Sequence, residues 1–474
     1  MAIERELKFR LAPRAASRAV STLALGPAKA FFAVYYDTPD EALRRARMAL
    51  RVRREGGVWL QTLKCEISPA ARGEWQTRAP RGRLDLGRMP STEIRKTTGF
   101  DIGELAGRLR PRFETRFVRR TAQVHFGGAV VEAALDRGAL IARRRREPIL
   151  ELELELKRGA PGRLARYAKS LIAPLGLALT FESKAERGYR LASDAELAAP
   201  RKWLRPRLGA DTAPGEALAM LVAAALVQAS ANAQGVLAST DAEYLHQVRV
   251  ALRRLRATLD AFKELAPRAK PLKGRLRSLA PVLGAARDWD VFVSALPKAT
   301  RLVRRARTRQ AQAQRAARRV LKSPAFHSFL VRALQWVEQS PWEQAPPPLA
   351  PFAALALERL HRKALEHARG IDWQDADERH ALRIRVKRLR YACDSFAGCF
   401  SKPAFEPYLA ALERLQDAFG ELNDIAVGRR LLAELGGEPG VEQQFARRER
   451  QLIARLPRDW QAFAGRSVSW RSER

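Results

Sequence analysis

The chain has 474 residues, 87 lysines and arginines against 51 aspartates and glutamates, a formal net charge of +36 and an isoelectric point near 11.2. That length excludes a lone small domain held by staples, and that charge calls for a polyanionic partner even where coding bias supplies part of the arginine. Cys65, Cys393 and Cys399 show no CxxC or metal-ligand spacing, which excludes a disulfide framework and reads as reduced thiols of a cytoplasmic protein.

The first residues, Met1-Ala2-Ile3-Glu4-Arg5-Glu6, are charged at once and hold no apolar signal core. Alternating runs then predict strands at residues 4–9, 31–36, 48–53, 59–64, 116–125, 129–135 and 149–157, with helices at 13–25 and 163–175. Period-2 alternation broken by Gly and Pro is the pattern of an antiparallel β domain, placed here at residues 1–200.

Two of those strands carry aligned charge. Glu4, Glu6 and Lys8 share one side of the first; Glu151, Glu153, Glu155 and Lys157 share one side of the last, while Leu150, Leu152, Leu154 and Leu156 point the other way. Neighbouring carboxylates repel unless cations intervene. If the leucines pack on a core and the acids line a barrel interior, a hard divalent cation resolves the repulsion, because Mg²⁺ takes oxygen ligands. Arg51 and Arg53, then Lys64, then Arg116 and Arg120, then Lys184 and Arg187 add cations suited to phosphate oxygens. Walker A, zinc and nucleophile-elbow patterns are missing from the sequence, so the chemistry expected is metal-assisted phosphoryl transfer without a P-loop.

Glu4-x-Glu6-x-Lys8, Leu50-Arg51-Val52-Arg53, Thr62-Leu63-Lys64, Glu132 to Gly138 and Glu151-x-Glu153-x-Glu155 together resemble the CYTH family of triphosphate tunnel metalloenzymes. The resemblance covers residues 1–200. It implies an eight-stranded antiparallel tunnel that hydrolyses inorganic triphosphate or an organic triphosphate with Mg²⁺ or Mn²⁺. It further implies metal ligation by Glu4, Glu6 and Glu153, with Glu151 and Glu155 as further acidic candidates. Phosphate binding would fall to Lys8, Arg51, Arg53, Lys64, Arg120 and Lys184, and catalysis to Glu4, Glu6, Lys8 and Glu153. Gln76, in Glu74-Trp75-Gln76, stands where a second acid is often found.

Pro200, Pro206 and Pro214 punctuate a linker at 201–214, beyond which strand signals stop and apolar-periodic helices fill 215–465. The longest apolar run, residues 217–227, is about half a membrane span, so no membrane span is expected. His246, Arg249, Arg253 and Arg256 recur as His380, Arg383, Lys387 and Arg390, and Asp290 recurs as Asp424; 380 − 246 and 424 − 290 both equal 134. Each set falls on one helical face. The opposite face, Leu245, Val248, Leu252, Leu255 and Leu259, already supplies a core. Duplication predicts two repeats, 215–340 and 350–465, separated by Pro341, Pro346, Pro347, Pro348 and Pro351.

The stripes, the Arg287-Asp288-Trp289-Asp290 turn and the Leu415 to Asp424 segment resemble the CHAD family, which implies a helical polyphosphate-binding domain over 210–465. The expected whole is α+β: an N-terminal antiparallel β-barrel (tunnel) followed by an all-α duplicated helical bundle. The expected function is metal-dependent triphosphate hydrolysis coupled to polyphosphate binding, cytoplasmic and associated with polyphosphate granules. The alternative is a catalytically weak polyphosphate-binding or granule-targeting protein. Specific nucleic-acid binding is not expected, for want of a recognised module or aromatic stacking platform.

Overall fold

A computed structural model of the chain describes residues 2–68, 71–193, 195, 197–266, 269–296, 301–339 and 348–471. They form two compact units, Met1–Arg201 with Ser230–Ala238 and Lys322–Gln339, and Lys202–Ala229 with Ser239–Leu321 and Ser340–Arg474.

The first unit holds strands β1 (Ala2–Arg10), β2 (Lys29–Asp37), β3 (Met48–Glu55), β4 (Val58–Ser68), β5 (Ala71–Arg78), β6 (Arg110–Phe126), β7 (Ala129–Ala142), β8 (Arg145–Arg158) and β9 (Ala178–Thr180). Its first helices are α1 (Ala16–Thr22), α2 (Ala42–Arg45), α3 (Ser91–Thr98), α4 (Pro161–Leu175) and α5 (Lys184–Ala192). The strands make one antiparallel sheet in the order β5-β4-β3-β2-β6-β7-β8-β1-β9. β1 divides its pairing: Glu6–Arg10 lie against β8, Lys8–Arg10 also against β9, and Ala2–Arg5 against β5. This corrects the expected eight-stranded closed barrel. Among the described residues nine strands form, and the two ends of the sheet meet along the first part of β1, with β9 taking up pairing capacity further along that strand.

Alternation explains which side is covered. On β8, Leu152 and Leu154 are fully buried, each contributing about 1.5–3 kcal/mol. Against β8 packs α4, whose Leu164, Ala168, Leu171, Ile172 and Leu175 recur at helical spacing. Pro161 opens that helix, and Gly176 closes it in the left-handed conformation. On β3–β5 the same side, Leu50, Leu63 and Trp75, is covered by Met89, Ile94, Ile102 and Leu105.

Later in the chain come α6 (Pro214–Ala238), α7 (Ala242–Ala261), α8 (Lys270–Ala295), α9 (Arg301–Lys322), α10 (Pro324–Gln339), α11 (Leu349–Ala368), α12 (Ala376–Phe396), α13 (Lys402–Glu434) and α14 (Pro439–Ala464). α10 belongs to the first unit, where it packs on α4 and Gln335 donates to the Gly162 carbonyl at 3.3 Å. α6 is the one described helix long and apolar enough to cross a membrane, and 72% of its most apolar window is buried. The repeat is visible in the capping: Asp241 accepts from the Glu243 amide ahead of α7, and Asp375 from the Asp377 and Glu378 amides ahead of α12. 375 − 241 again equals 134. Of the expected proline linker, Pro341, Pro346 and Pro347 lie outside the described residues; Pro348 caps α11 and Pro351 sits in its first turn. All three cysteines are buried.

Candidate functional site

Register places a large group of charged residues of the first unit on one side of the sheet. Glu6, Glu155 and Glu132 form one cross-strand row; Lys8, Glu153 and Ala134 the next; Arg10, Glu151, Asp136 and Arg119 a third. The same side continues through Tyr35, Arg51, Thr62 and Gln76, and through Lys64 and Glu74. It is the side opposite the leucines. Glu4 shares it by alternation along β1, but its side chain lies outside the described residues.

The deepest part is an ion-pair network. Lys184 lies 2.8 Å from Asp136, 2.9 Å from Glu151 and 2.8 Å from Glu153. Arg119 grips Asp136 with two bonds of 2.6 and 2.7 Å and reaches Glu153 at 2.5 Å. Lys8 is 3.4 Å from Glu153 and 3.8 Å from Glu6. Arg187 pairs with Glu151 and, at 2.7 Å, with Glu147. Burial pushes the Glu151 carboxyl up, but Lys184, Lys8 and Arg187 outweigh it and hold the group at about 2. Glu153 is held well below the carboxylate range by the same balance of burial against Lys184, Lys8 and Arg119. Lys184 rises well above its ordinary value because Asp136, Glu151 and Glu153 more than reverse its desolvation.

Local structure aims these cations. Ser183 and Glu186 form a capping box, with bonds of 2.7 and 3.1 Å, that starts α5 at Lys184 and projects Lys184 and Arg187 toward the carboxylates. Gly188 allows the helix this close: a Cβ there would sit 2.1 Å from the Phe113 ring. The Arg119 guanidinium lies 5.6 Å from the Phe31 ring centroid and 5.7 Å from that of Phe117, two rings stacked at 5.4 Å.

Across the sheet the balance is basic. Arg51 meets the Tyr35 hydroxyl at 3.3 Å; burial opposes its charge, and Tyr35 with Glu74 outweighs that opposition. Arg53 donates to Gln76 at 2.8 Å and pairs with Glu55 at 3.3 Å; desolvation and Arg51 lower its affinity for its proton. Lys64 pairs with Glu74 at 3.3 Å. Glu155 meets Lys157 at 2.7 Å. Arg120 is placed elsewhere: it pairs in register with Leu135 on the leucine side and donates to the Gly26 carbonyl at 2.8 Å. Arg119, one residue earlier, stands in the network instead, because a one-residue step reverses the face. The sequence signal for it is its register with Asp136 of the Glu132 to Gly138 segment.

No three Asp, Glu, His or Cys side chains converge on a metal-holding position among the described residues. Oxygen donors of the type a hard divalent cation takes are nevertheless present in one cross-strand row. Glu6, Glu132 and Glu155 stand directly across from one another, an arrangement that like charges disfavour, and Lys157 is 3.7 Å from Glu132 as well as close to Glu155.

In the second unit the two stripes come together. α7 packs on α12, and each stripe's electrostatics register the other. Lys387 is pushed down to about 7 by burial, then by Arg383, Arg253 and, beyond Asp424's opposing pull, Arg249. Arg249 falls to about 10 through burial and Arg253. Burial lowers Arg383 against the pull of Asp424, and burial with Arg287 lowers His246. The far ends diverge: Arg256 and His380 are exposed, while Arg390 turns to Glu413 at 2.8 Å and Asp394 at 3.6 Å. Gly284 of α8 makes room for Arg249, whose guanidinium lies 3.0 Å from where a Cβ would be. The repeat's acids do not play matching parts. Asp290 is buried and accepts from Gln310 and Gln314, both at 2.8 Å, whereas Asp288 and Asp424 act on the stripe cations.

Comparison with known proteins finds two families in succession. The CYTH domain model matches residues 2–189 and the CHAD domain model residues 220–433. An inorganic triphosphatase of Haemophilus influenzae is 31% identical over 168 residues, 34% of this chain and 45% of the relative, so the match spans less than half of that protein's length. The crystal structure of the CHAD domain from the plant Ricinus communis is 29% identical, with a TM-score of 0.51, covering 57% of this chain and 98% of that one.

Proposed function

The chain carries a CYTH domain at residues 2–189 followed by a CHAD domain at 220–433, and from that architecture we propose a metal-dependent inorganic triphosphatase whose helical part binds polyphosphate. One observation carries the reading. A single side of the sheet brings Lys8, Arg119 and Lys184 among Asp136, Glu151 and Glu153, with Arg51, Arg53 and Lys64 further round it. The inorganic triphosphatase relative supports the reaction class. Although the sheet does not close fully, Ala2–Arg5 of β1 also pair with β5, which curves the charged side round a substrate-sized concavity in this reading.

The residues divide the work by charge. Lys8, Arg119, Lys184, Arg51, Arg53 and Lys64 neutralise the non-bridging oxygens of a linear triphosphate, and the planar Arg119 fork fixes orientation as well. Lys8 and Lys184 exchange carboxylate partners for phosphate oxygens as substrate enters. Glu151 and Glu153, ionised at every working pH, donate no proton; they hold Lys184, Lys8 and Arg187 in place. Glu6, Glu153 and Glu155, with Glu4, would hold Mg²⁺ or Mn²⁺, which supplies Lewis-acid polarisation of the phosphates when bound. Carboxylates of the Glu6 row orient water in line with the leaving diphosphate.

A second reading, a slow tunnel in a chain that mainly tethers to polyphosphate, is favoured by Gln76, a neutral acceptor for Arg53. Phosphate release separates the two. The full-length protein is assayed on inorganic triphosphate, thiamine triphosphate and nucleoside triphosphates with Mg²⁺ or Mn²⁺, beside a Glu4→Gln/Glu6→Gln variant. Turnover on inorganic triphosphate that the variant loses while keeping its fold supports the enzyme. Equal turnover and equal metal dependence in the variant overturns the site.

A further inference from the structure

α9 is the most one-sidedly charged element of the second unit. From Arg301 to Lys322 it contains no acid and no aromatic residue. Arg304, Arg305, Arg307, Arg309, Arg315 and Arg319 are exposed, and among the described residues none of the six takes part in an ion pair. On α13 and α14 several arginines are matched instead. Arg429 pairs with Glu442 and Glu449, Arg430 with Glu434, Arg448 with Glu421 and Arg455 with Asp459. Arginines three and four apart without a carboxylate between them repel, so the ridge opposes its own helix unless an external anion covers it.

The helix is anchored from beneath. Leu302, Val303 and Ala306 pack against Trp289 and Phe292 of α8 and Leu431, Leu432 and Val441. Gln310 and Gln314 both bond the buried Asp290 carboxylate. Arg304, Thr308, Arg315 and Arg319, at offsets of 0, 4, 11 and 15, form its outer line, about 22 Å long at 1.5 Å per residue. α8 separates this line from the stripes: Asp290 addresses α9, while Asp288, two residues away and so on the far side of the helix, acts on Arg249.

We propose that the exposed arginine ridge of α9 is a second docking site for long-chain inorganic polyphosphate, engaged by the same polymer that occupies the stripes. This rests on the reading that the helical domain binds polyphosphate. The chemistry selects a bare phosphate chain over other polyanions. The ridge offers no aromatic stacking platform, which disfavours single-stranded nucleic acid. The apolar face is spent on the core, so no hydrophobic anchor remains for a lipid surface. A polymer long enough to pass α8 gains the second site intramolecularly; a chain that spans only one stripe, about 15 Å, does not.

The test uses full-length protein and three variants: R304Q/R305Q/R315Q/R319Q for the ridge, R253A/K387A for the stripes, and their combination. Affinity is titrated with short and with long polyphosphate at several salt concentrations, circular dichroism confirms folding, and duplex DNA serves as competitor. The ridge variant is expected to lose at least about tenfold in affinity for long chains, with a shallower salt dependence, and less than about twofold for short ones. Equal affinity of parent and ridge variant for long chains overturns the ridge. So does loss of DNA binding with polyphosphate binding intact, which would assign the ridge to nucleic acid. If the parent binds neither length, the reading of the helical domain has failed, whereas binding that only the stripe variant loses defeats the ridge alone.

Discussion

Lys387 gives the most quantitative handle on the helical domain. Burial, then Arg383 and Arg253, push its ammonium down to about 7 in the ligand-free protein. A bound polyanion reverses the repulsion and returns the group toward the ordinary lysine value of about 10.4. Near pH 7 the free protein is about half protonated there and the complex almost fully so; near pH 9 only about 1% of the free protein carries the charge. Binding must then recruit a proton from solution. Affinity falls about fiftyfold between those two pH values, or ~2.3 kcal/mol, with uptake of about 0.9 proton per site near pH 8. Titration calorimetry in buffers of different ionisation enthalpy measures both. Lys387→Arg, which keeps its charge throughout, should bind with little uptake and a flat profile. An equal pH slope and equal uptake in that variant would refute the assignment to Lys387. Without ligand the sign is also fixed. The folded-state value lies below the unfolded one, so between roughly pH 7 and pH 10 the unfolded chain holds more protons and stability rises with pH. Lys387→Met should flatten that rise.

The sheet domain yields three further expectations. Arg119→Lys retains charge but loses the two-pronged grip on Asp136, and should lower kcat by roughly 10²–10³, whereas Arg120→Gln, on the opposite face, should leave the pH–rate profile and metal dependence unchanged; equal losses in steady-state kinetics would contradict the register. Glu151, held at about 2 in the folded protein, contributes stability that is complete above its unfolded value of about 4.3 and disappears as pH falls through 2, about 3 kcal/mol in all; acid unfolding monitored by fluorescence should show this loss in the parent and not in Glu151→Gln. A fragment of residues 1–200 lacks α10, whose buried Phe329, Leu330 and Ala333 belong to the unit that α4 anchors; it should melt lower and bind a hydrophobic dye, and fusing residues 322–339 to it should reverse both.

Much of the β domain was legible because alternation is a local property. The leucines of β8 and the charges between them predict both a strand and the face that packs. β5 escaped because Ala71–Arg78 offers only Trp75 as a large apolar marker, and β9 because three residues show no period. On β6 the reading and the structure differ by one residue. Arg116, Arg119 and Arg120 put cations on both faces of that strand, and only cross-strand register, Arg119 to Asp136 to Glu151, decides between them. In the helical half the 134-residue offset exposed the stripes, since helix faces repeat with the sequence. It could not show that Asp290 is spent on Gln310 and Gln314 while Asp288 attends the stripe, because sequence equivalence does not fix side-chain partners.

The placement of α10 bears on how the chain is made. Its partner surface on α4 is complete by residue 175, yet α10 itself ends at Gln339. At 5–20 residues per second, translation from residue 175 to residue 339 takes roughly 8–33 s. For that interval the nascent sheet domain shows the ribosome's surroundings an apolar helix face that only a much later segment can cover. Folding of the first unit is thus tied to synthesis of the first part of the second. A stall or premature stop between the two would leave a sticky intermediate rather than a finished sheet domain.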